Sequence, residues 1–304
     1  MRLFYCDHFV LPLPEGHRFP MEKYALLRER VESDLPMGTY RLSVPVAASD
    51  RELGAVHTSD YLRKVKGGTL SENEIRRIGF PLSPTLVERS RRSVGGTLEC
   101  AGAALEEGIA ANLSGGTHHA FPERGEGYCV FNDVAVAARI ILNEGAAHRV
   151  VILDTDVHQG NGTAYIFRDS PEVFTLSVHG ADNYPFRKEP GDLDLELPDG
   201  TGDEEFLDAV RVGLKEALYA FAPDFAFFLS GADPFEGDRL GRLAVSKEGL
   251  REKDRLILDS CMALGVPTAV VMGGGYAEDI LDTVDIHFNT IRIAAALAGG
   301  DMVP

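Results

Sequence analysis

The sequence predicts an α/β domain, a parallel sheet with helices packed on both faces. Three observations predict it. The runs RVVILD (149–154), DFAFFLS (224–230) and PTAVVM (267–272) are apolar at consecutive positions, so both faces of each strand must be buried. Longer segments of helical period alternate with such runs. No linker, repeat or low-complexity tract breaks the 304 residues, which read as a single domain, 1–304.

The elements follow in order. RLFYC (2–6) reads as a first strand, and 21–32 as a helix with Pro20 suited to its first turn. Residues 58–66 read as a short helix with Thr58 or Ser59 as its N-cap. In 86–107 the apolar residues Val94, Leu98, Ala101 and Leu105 recur near helical period. A strand at 109–113 runs into a Gly-broken loop, SGGTHH. Helix 132–143 precedes strand 149–154, and EVFTLSVH (172–179) is a further strand. Residues 180–203, rich in Gly, Pro and Asp, read as a long loop. Then come an amphipathic helix at 205–221, strand 224–230, helix 250–264, strand 267–272 and a C-terminal helix through 297.

Charge narrows the function classes. With 30 Lys+Arg against 47 Asp+Glu the chain carries −17, which argues against a nucleic-acid backbone as direct partner. Arg89, Arg91 and Arg92 cluster, but on a helix they read as a solvated face. An acidic chain is compatible with a cationic substrate such as a Lys-rich peptide or a polyamine. No apolar run reaches a membrane span, and no signal-peptide pattern opens the chain, so the expected location is the cytoplasm. The four cysteines, Cys6, Cys100, Cys129 and Cys261, form no CxxC pair and read as free thiols in a reducing compartment.

In a parallel sheet, chemistry collects where strands end and loops begin. Four loops carry it. Strand 149–154 leads into Asp154, Asp156 and His158; strand 224–230 leads to Asp233; strand 267–272 leads to Gly273-Gly274-Gly275-Tyr276; strand 109–113 leads to His118-His119. Residues two apart on an extended strand face one side, so DTDVH can aim a carboxylate and an imidazole at one point. Asp233 would add a third ligand. Two carboxylates and one histidine with an open position suit a catalytic divalent metal, Zn²⁺ by default, although Fe²⁺ would also fit the donor set. A carboxylate or an amide, from Asp154 or Asn161, could hold Nδ1 of a histidine of the pair and aim its Nε2 at a water. Tyr276, behind three glycines, is a candidate to polarise a carbonyl and stabilise an oxyanion. The structural alternative is plainer: Asp156 and His158 capping a helix near Asn161, adjacent surface histidines, and a flexible Gly-rich turn.

GGTHHAFPERGEGYCVFND (115–133), DTDVHQGNGT (154–163), SGADPFEGD (230–238) and MGGGY (272–276), in this order, resemble the signatures of the histone deacetylase superfamily, with weaker marks at HTSDYL (57–62) and GGTLECAGAAL (95–105). The short length, HQGNG and the 115–129 stretch are most similar to class IV members and their bacterial relatives. The resemblance implies a three-layer arginase–deacetylase fold with an eight-stranded parallel sheet. It implies Asp156, His158 and Asp233 as metal ligands and His118 and His119 as the histidine pair, with His119 the general base and acid. Asp154 would orient His118, and Tyr276 would polarise the acyl carbonyl. Gly127, Tyr128 and Gly274 would line the acyl channel, with Tyr128 where many members have Phe and Cys129 near the channel floor. A K⁺ ion is implied at Asp154, Asp156, His158, Ser177 and Val178. Asn161 stands where class I members have a second Asp, which implies a less strongly raised pKa for His119. No match is found for the class I rim Asp; the rim is expected at 79–84 and 180–191, with Tyr184 or Phe186 as a wall.

The activity implied is removal of an acyl group, acetyl or longer, from an acylated lysine of a peptide or protein. Acetylpolyamines or other small acylated amines are an alternative substrate class. A non-catalytic acyl-amine binding module and a binuclear ureohydrolase of the arginase type are alternatives of other kinds. Neither nucleic acid nor membrane is an expected partner.

Overall fold

The structure, a computed structural model, describes residues 1–299. Eight strands form one sheet: β1 (Arg2–Phe4), β2 (Arg41–Ser43), β3 (Ile109–Asn112), β4 (Val150–Asp154), β5 (Val173–Gly180), β6 (Leu193–Leu197), β7 (Phe225–Ser230) and β8 (Thr268–Met272). Their order across the sheet is β2-β1-β3-β8-β7-β4-β5-β6, and every pair is parallel.

Both faces of the central strands are buried, as their continuous apolar runs require. In β4, Val151 and Leu153 enter one core cluster while Val150 and Ile152 enter the other. Ala226 and Phe228 of β7 join the first, and Phe225, Phe227 and Leu229 the second. This is the period of two expected when alternate side chains point to opposite faces. The first face is covered by α1 (Lys23–Asp34), α8 (Asp203–Leu214), α9 (Lys247–Ala263) and α10 (Ile280–Gly299); the second by α5 (Pro84–Glu107), α6 (Asp133–Asn143) and α7 (Asn161–Phe167). Three short helices, α2 (Asp50–Leu53), α3 (Ser59–Gly67) and α4 (Glu72–Ile78), pack in a third cluster with the start of α5 and with Phe131.

Several expectations are corrected. The loop expected over 180–203 contains β6, which pairs with β5 at the sheet edge. The helix expected over 205–221 is α-helical to Leu214 and then widens into a π-helical turn, Lys215–Ala220. Pro20 lies outside α1, whose N-cap is Glu22. Thr58 is the N-cap of α3, its hydroxyl accepting from Tyr61 N. Arg89 does not belong to a solvated face: it is buried and donates to the carbonyls of Cys6 and Phe9. All four cysteines are buried and free.

The order places β3, β8, β7 and β4 side by side, so the four chemistry-bearing loops leave one edge of the sheet from neighbouring strands. Among the described residues, no helix is long and apolar enough to cross a membrane.

Candidate active site

β4 ends at Asp154, and the chain then bends rather than continuing as a strand. The expected alternation of DTDVH along an extended strand therefore stops early, yet Asp156 and His158 still converge with Asp233. One ligand-capable atom from each lies within 4.8 Å of the others, and all three residues are buried. His158 Nδ1 stands 2.9 Å from Asp156 Oδ1 and 3.1 Å from Asp233 Oδ2. The remaining carboxylate oxygens are fixed by the backbone: Gly274 N donates to Asp156 Oδ2 (2.6 Å) and Val157 N to Asp233 Oδ1 (2.9 Å).

These residues fit a divalent cation. Two carboxylates facing one imidazole in a dry site bring unbalanced charge together. Burial pushes the Asp233 carboxyl up, and the nearby Asp156 charge adds to it. Burial opposes a charge on His158, but hydrogen bonds to the two carboxylates outweigh it and raise the imidazole to about 10. The proton so drawn onto Nδ1 occupies the point a cation would take. Gly274 explains the close approach. A Cβ there would stand 2.8 Å from Asp233 Cγ and 2.9 Å from Asp156 Oδ2, so any side chain would push the two carboxylates away.

The histidine pair sits beside this cluster. His118 Nδ1 donates to Asp154 Oδ2 at 2.7 Å, and Asp154 Oδ1 accepts from Asp156 N. Burial disfavours a charge on His118, but Asp154 and then Asp156 reverse this and raise it to about 9. His119 Nδ1 is 2.8 Å from Asn161 Oδ1. The Asn161 amide cannot be flipped here, because its Nδ2 donates to Glu126 Oε1 at 2.9 Å. Asn161 therefore presents its carbonyl oxygen, the proton of His119 is on Nδ1, and the Nε2 lone pair points inward. Burial, then the neighbouring His118 and His158, holds His119 well below the ordinary imidazole range. The two Nε2 atoms are 3.1 Å apart.

Tyr276 is buried within the same floor. Its backbone N donates to Asp238 Oδ2 (2.6 Å), and Arg239 Nε donates to its carbonyl oxygen (2.9 Å). Burial, then Asp233 and Asp156, pushes its phenol well above the usual value, so it remains a proton donor. Lys23 on α1 approaches from behind, its Nζ 3.4 Å from the carbonyls of Gly273 and Gly275 and 5.3 Å from the Tyr276 ring centre. Burial lowers its ammonium to about 8.

A cleft of about 580 Å³ opens above His119, His158 and Tyr276, with walls that include Gly79, Gly127, Tyr128, Tyr184 and Phe186. Both Gly127 (φ 56) and Tyr128 (φ 65) adopt left-handed backbone, a strained state for tyrosine. A Cβ at Gly127 would lie 2.6 Å from His119 Cδ2, so only glycine lets this wall pass. Gly127 N and Tyr128 N donate to Arg77 O and Ile78 O at the end of α4. Tyr184 sets its ring edge-on to His119 and donates its hydroxyl to Glu126 Oε1 (3.0 Å). Phe186 lines the cleft at its outer rim, where it is 87% exposed. Gly274 lies beneath the channel against the carboxylates, and Cys129 lines the buried recess behind the floor with Lys23 and Tyr276. Ser177 pairs with Asp154 across β5 and β4, with Val178 next along the strand.

Three functional partners escaped sequence reasoning. Glu126 fixes Asn161, Asp238 fixes Tyr276, and Asp133 accepts from Gly116 N and Thr117 N to shape the loop before the histidines. Each lies inside or next to a quoted motif, but a lone acid in a loop carries no signal of its target.

The family model described as Histone deacetylase domain matches residues 17–291. An uncharacterised protein of Picosynechococcus sp. is 45% identical over 93% of this chain and 94% of its own length. The acetoin utilization protein AcuC of Bacillus subtilis is 34% identical over 86% of this chain and 73% of its own, and histone deacetylase 2 of Arabidopsis thaliana 29% identical over 92% and 76%. Among solved structures, an HDAC homologue complexed with SAHA superposes with TM-score 0.80 at 22% identity, covering 100% of this chain and 84% of that one, a likeness of fold.

Proposed function

The chain belongs to the histone deacetylase family and is a deacetylase hydrolase, and on that premise we propose that it is a zinc-dependent enzyme removing an acyl group from an acylated lysine side chain. The observation that carries the reading is the meeting of His119 Nε2, the Tyr276 phenol and the Asp156–His158–Asp233 cluster at the floor of one cleft. The domain is proposed to be a single catalytic unit over 1–304, working in the cytoplasm.

Asp156, His158 and Asp233 would hold the divalent ion, which when bound supplies a Lewis acid and lowers the pKa of water beside it. The chain's own residues do the rest. The walls at Gly127, Tyr128 and Tyr184 admit a slender acyl-lysine and exclude bulk water. Tyr276, held protonated by burial, donates its hydroxyl hydrogen to the acyl oxygen as negative charge develops there. His119 Nε2, left unprotonated by its environment, takes a proton from the attacking water and later returns one to the departing amine. Asn161 keeps the proton of His119 on Nδ1, and Asp154 fixes His118 in the same way. A K⁺ ion at Asp154, Asp156, His158, Ser177 and Val178 belongs to this proposal as a second, structural cation.

The test is a hydrolysis panel. Metal-stripped protein is titrated with Zn²⁺ against acetyl-lysine peptides, long-chain acyl-lysine peptides and acetylpolyamines, following released acid. Zn²⁺-restored cleavage of an acyl-lysine peptide is expected. No cleavage of any member by protein carrying one tightly bound metal would overturn the reading.

A further inference from the structure

A chain of net charge −17 should present a negative surface to an approaching substrate. The mouth of the catalytic cleft is the opposite. Arg18, Arg76, Arg77, Arg239 and Arg242 line it against one acid, Asp182, and all five arginines are exposed. They come from separate segments: the stretch before α1, the last turn of α4, and the loop following β7.

Most of this charge is not spent on internal ion pairs. Arg242 meets Asp199 at 3.1 Å. Arg76 reaches the Asn73 side-chain oxygen, and Arg239 donates from Nε to the backbone carbonyl of Tyr276. Among the described residues, no carboxylate lies within 4.0 Å of the side-chain nitrogens of Arg18, Arg76, Arg77 or Arg239. A lone exposed arginine is ordinarily a solvated one. Five around a single opening, in a chain this acidic, concentrate positive charge where the substrate must enter. Guanidinium groups also match carboxylates in shape, offering paired N–H donors to two oxygens.

Resting on the deacetylase reading above, we propose that the substrate is a peptide segment in which the acylated lysine is flanked by carboxylate side chains. A polyamine or a Lys-rich segment would bring further positive charges against the arginines. Phe186 favours a peptide over a small acid: 87% exposed and edge-on to Tyr184 at the mouth, it offers apolar surface outside the channel, where an extended chain can lie and a small molecule cannot.

Binding separates this proposal from the chemistry. Full-length, Zn²⁺-loaded Tyr276→Phe protein is titrated by fluorescence polarisation with acetyl-lysine peptides flanked by Asp/Glu, by Ser/Ala, or by Lys/Arg, at 50 and 500 mM salt. At low salt the acid-flanked peptide is expected to bind about tenfold tighter than the base-flanked one or better, and the gap is expected to close at high salt. Adding Arg18→Glu and Arg77→Glu is expected to invert the order. Equal affinities, or a preference for basic flanks in the otherwise unaltered surface, would overturn the proposal. A free acylated amino acid that competes as strongly as the acid-flanked peptide would overturn its peptide part. Because turnover is not read, failed hydrolysis in the panel and failed charge preference here are separate results.

Discussion

Gly274→Ala tests whether the floor of the site is built to hold a cation. Gly274 is not in left-handed backbone, so alanine brings no conformational strain; its effect is the added carbon alone. That carbon would stand 2.8 Å from Asp233 Cγ and 2.9 Å from Asp156 Oδ2, and nearer still to Asp233 Oδ2. Ordinary contact requires Asp233 to retreat by about 1 Å, several times the roughly 0.2 Å tolerance of a metal–ligand distance. The carboxylate cannot swing freely, because Val157 N holds its other oxygen at 2.9 Å. Disturbing groups that orient ligands weakens metal sites by about 10–100-fold, and a displaced ligand belongs at the upper end, about 2.7 kcal/mol. Overpacking should also lower stability by about 1–3 kcal/mol. The assay is competition for Zn²⁺ against a chromophoric chelator, with circular dichroism to verify the fold. Gly102→Ala, where a Cβ meets nothing within 4 Å, is the control. A folded Gly274→Ala protein whose Zn²⁺ affinity stays within threefold of the parent would refute the reasoning.

Further outcomes are expected. Tyr276→Phe and His119→Ala should each lower kcat by about 10²-fold or more while Zn²⁺ affinity is retained; full activity in either would remove that residue from the mechanism. Asn161→Asp puts a carboxylate beside His119 Nδ1, which raises the pKa of a base that must be unprotonated, so the acid limb of the kcat/KM profile should move to higher pH. Because Glu126 lies 2.9 Å from the same side chain, the shift should be clearest with Glu126→Gln added, and an unmoved limb would sink the idea. Zn²⁺ bound at the proposed site would displace protons from His158, which is raised, and from Asp233, which is pushed up by burial, so the thermal stabilisation by metal should be larger at pH 8 than at pH 6, with protons released into weak buffer; a shift independent of pH would contradict this. Lys253 and Asp254 form a fully buried ion pair at 2.8 Å, so Lys253→Met should lose about 3–5 kcal/mol in denaturant melts and Lys253→Met/Asp254→Leu should recover much of it; a single-variant loss below about 1 kcal/mol would argue the pair is solvated.

What was legible in the sequence was whatever a strand or a glycine turn forces on its neighbours. β4, β7 and β8 are apolar on both faces and announce themselves, and the polar residues just past their ends have nowhere to go but the site. The edge strands did not announce themselves. β2 has three residues, and β6, LDLEL, has one buried side chain, Leu197, among acids. Its period of two was present but lay within a segment whose glycines and prolines favour a loop. The π-helical turn at Lys215–Ala220 keeps an apolar pattern that a regular helix would also show. Glu126, Asp238 and Lys23 were illegible for another reason: each acts across the fold, on Asn161, Tyr276 and the Gly273 and Gly275 carbonyls, and no spacing encodes such a partner. The arginine mouth was hidden in the same way, since its members lie far apart in the chain and the summed charge has the opposite sign.

The strand order has a consequence for how the protein comes into being. β8 is the last strand to be synthesised, yet it fills the gap between β3 and β7 at the middle of the sheet. Until residue 272 has left the ribosome, the growing chain can build two partial sheets, β2-β1-β3 and β7-β4-β5-β6, each with an unpaired inner edge. Every residue of β3 and β7 is buried in the finished sheet, and the loop carrying Tyr276 follows directly behind the strand that seals them. Closure of the sheet and delivery of Tyr276 to the floor of the cleft are thus the same late event, and an interrupted chain would lack that side chain and be prone to associate through its open edges.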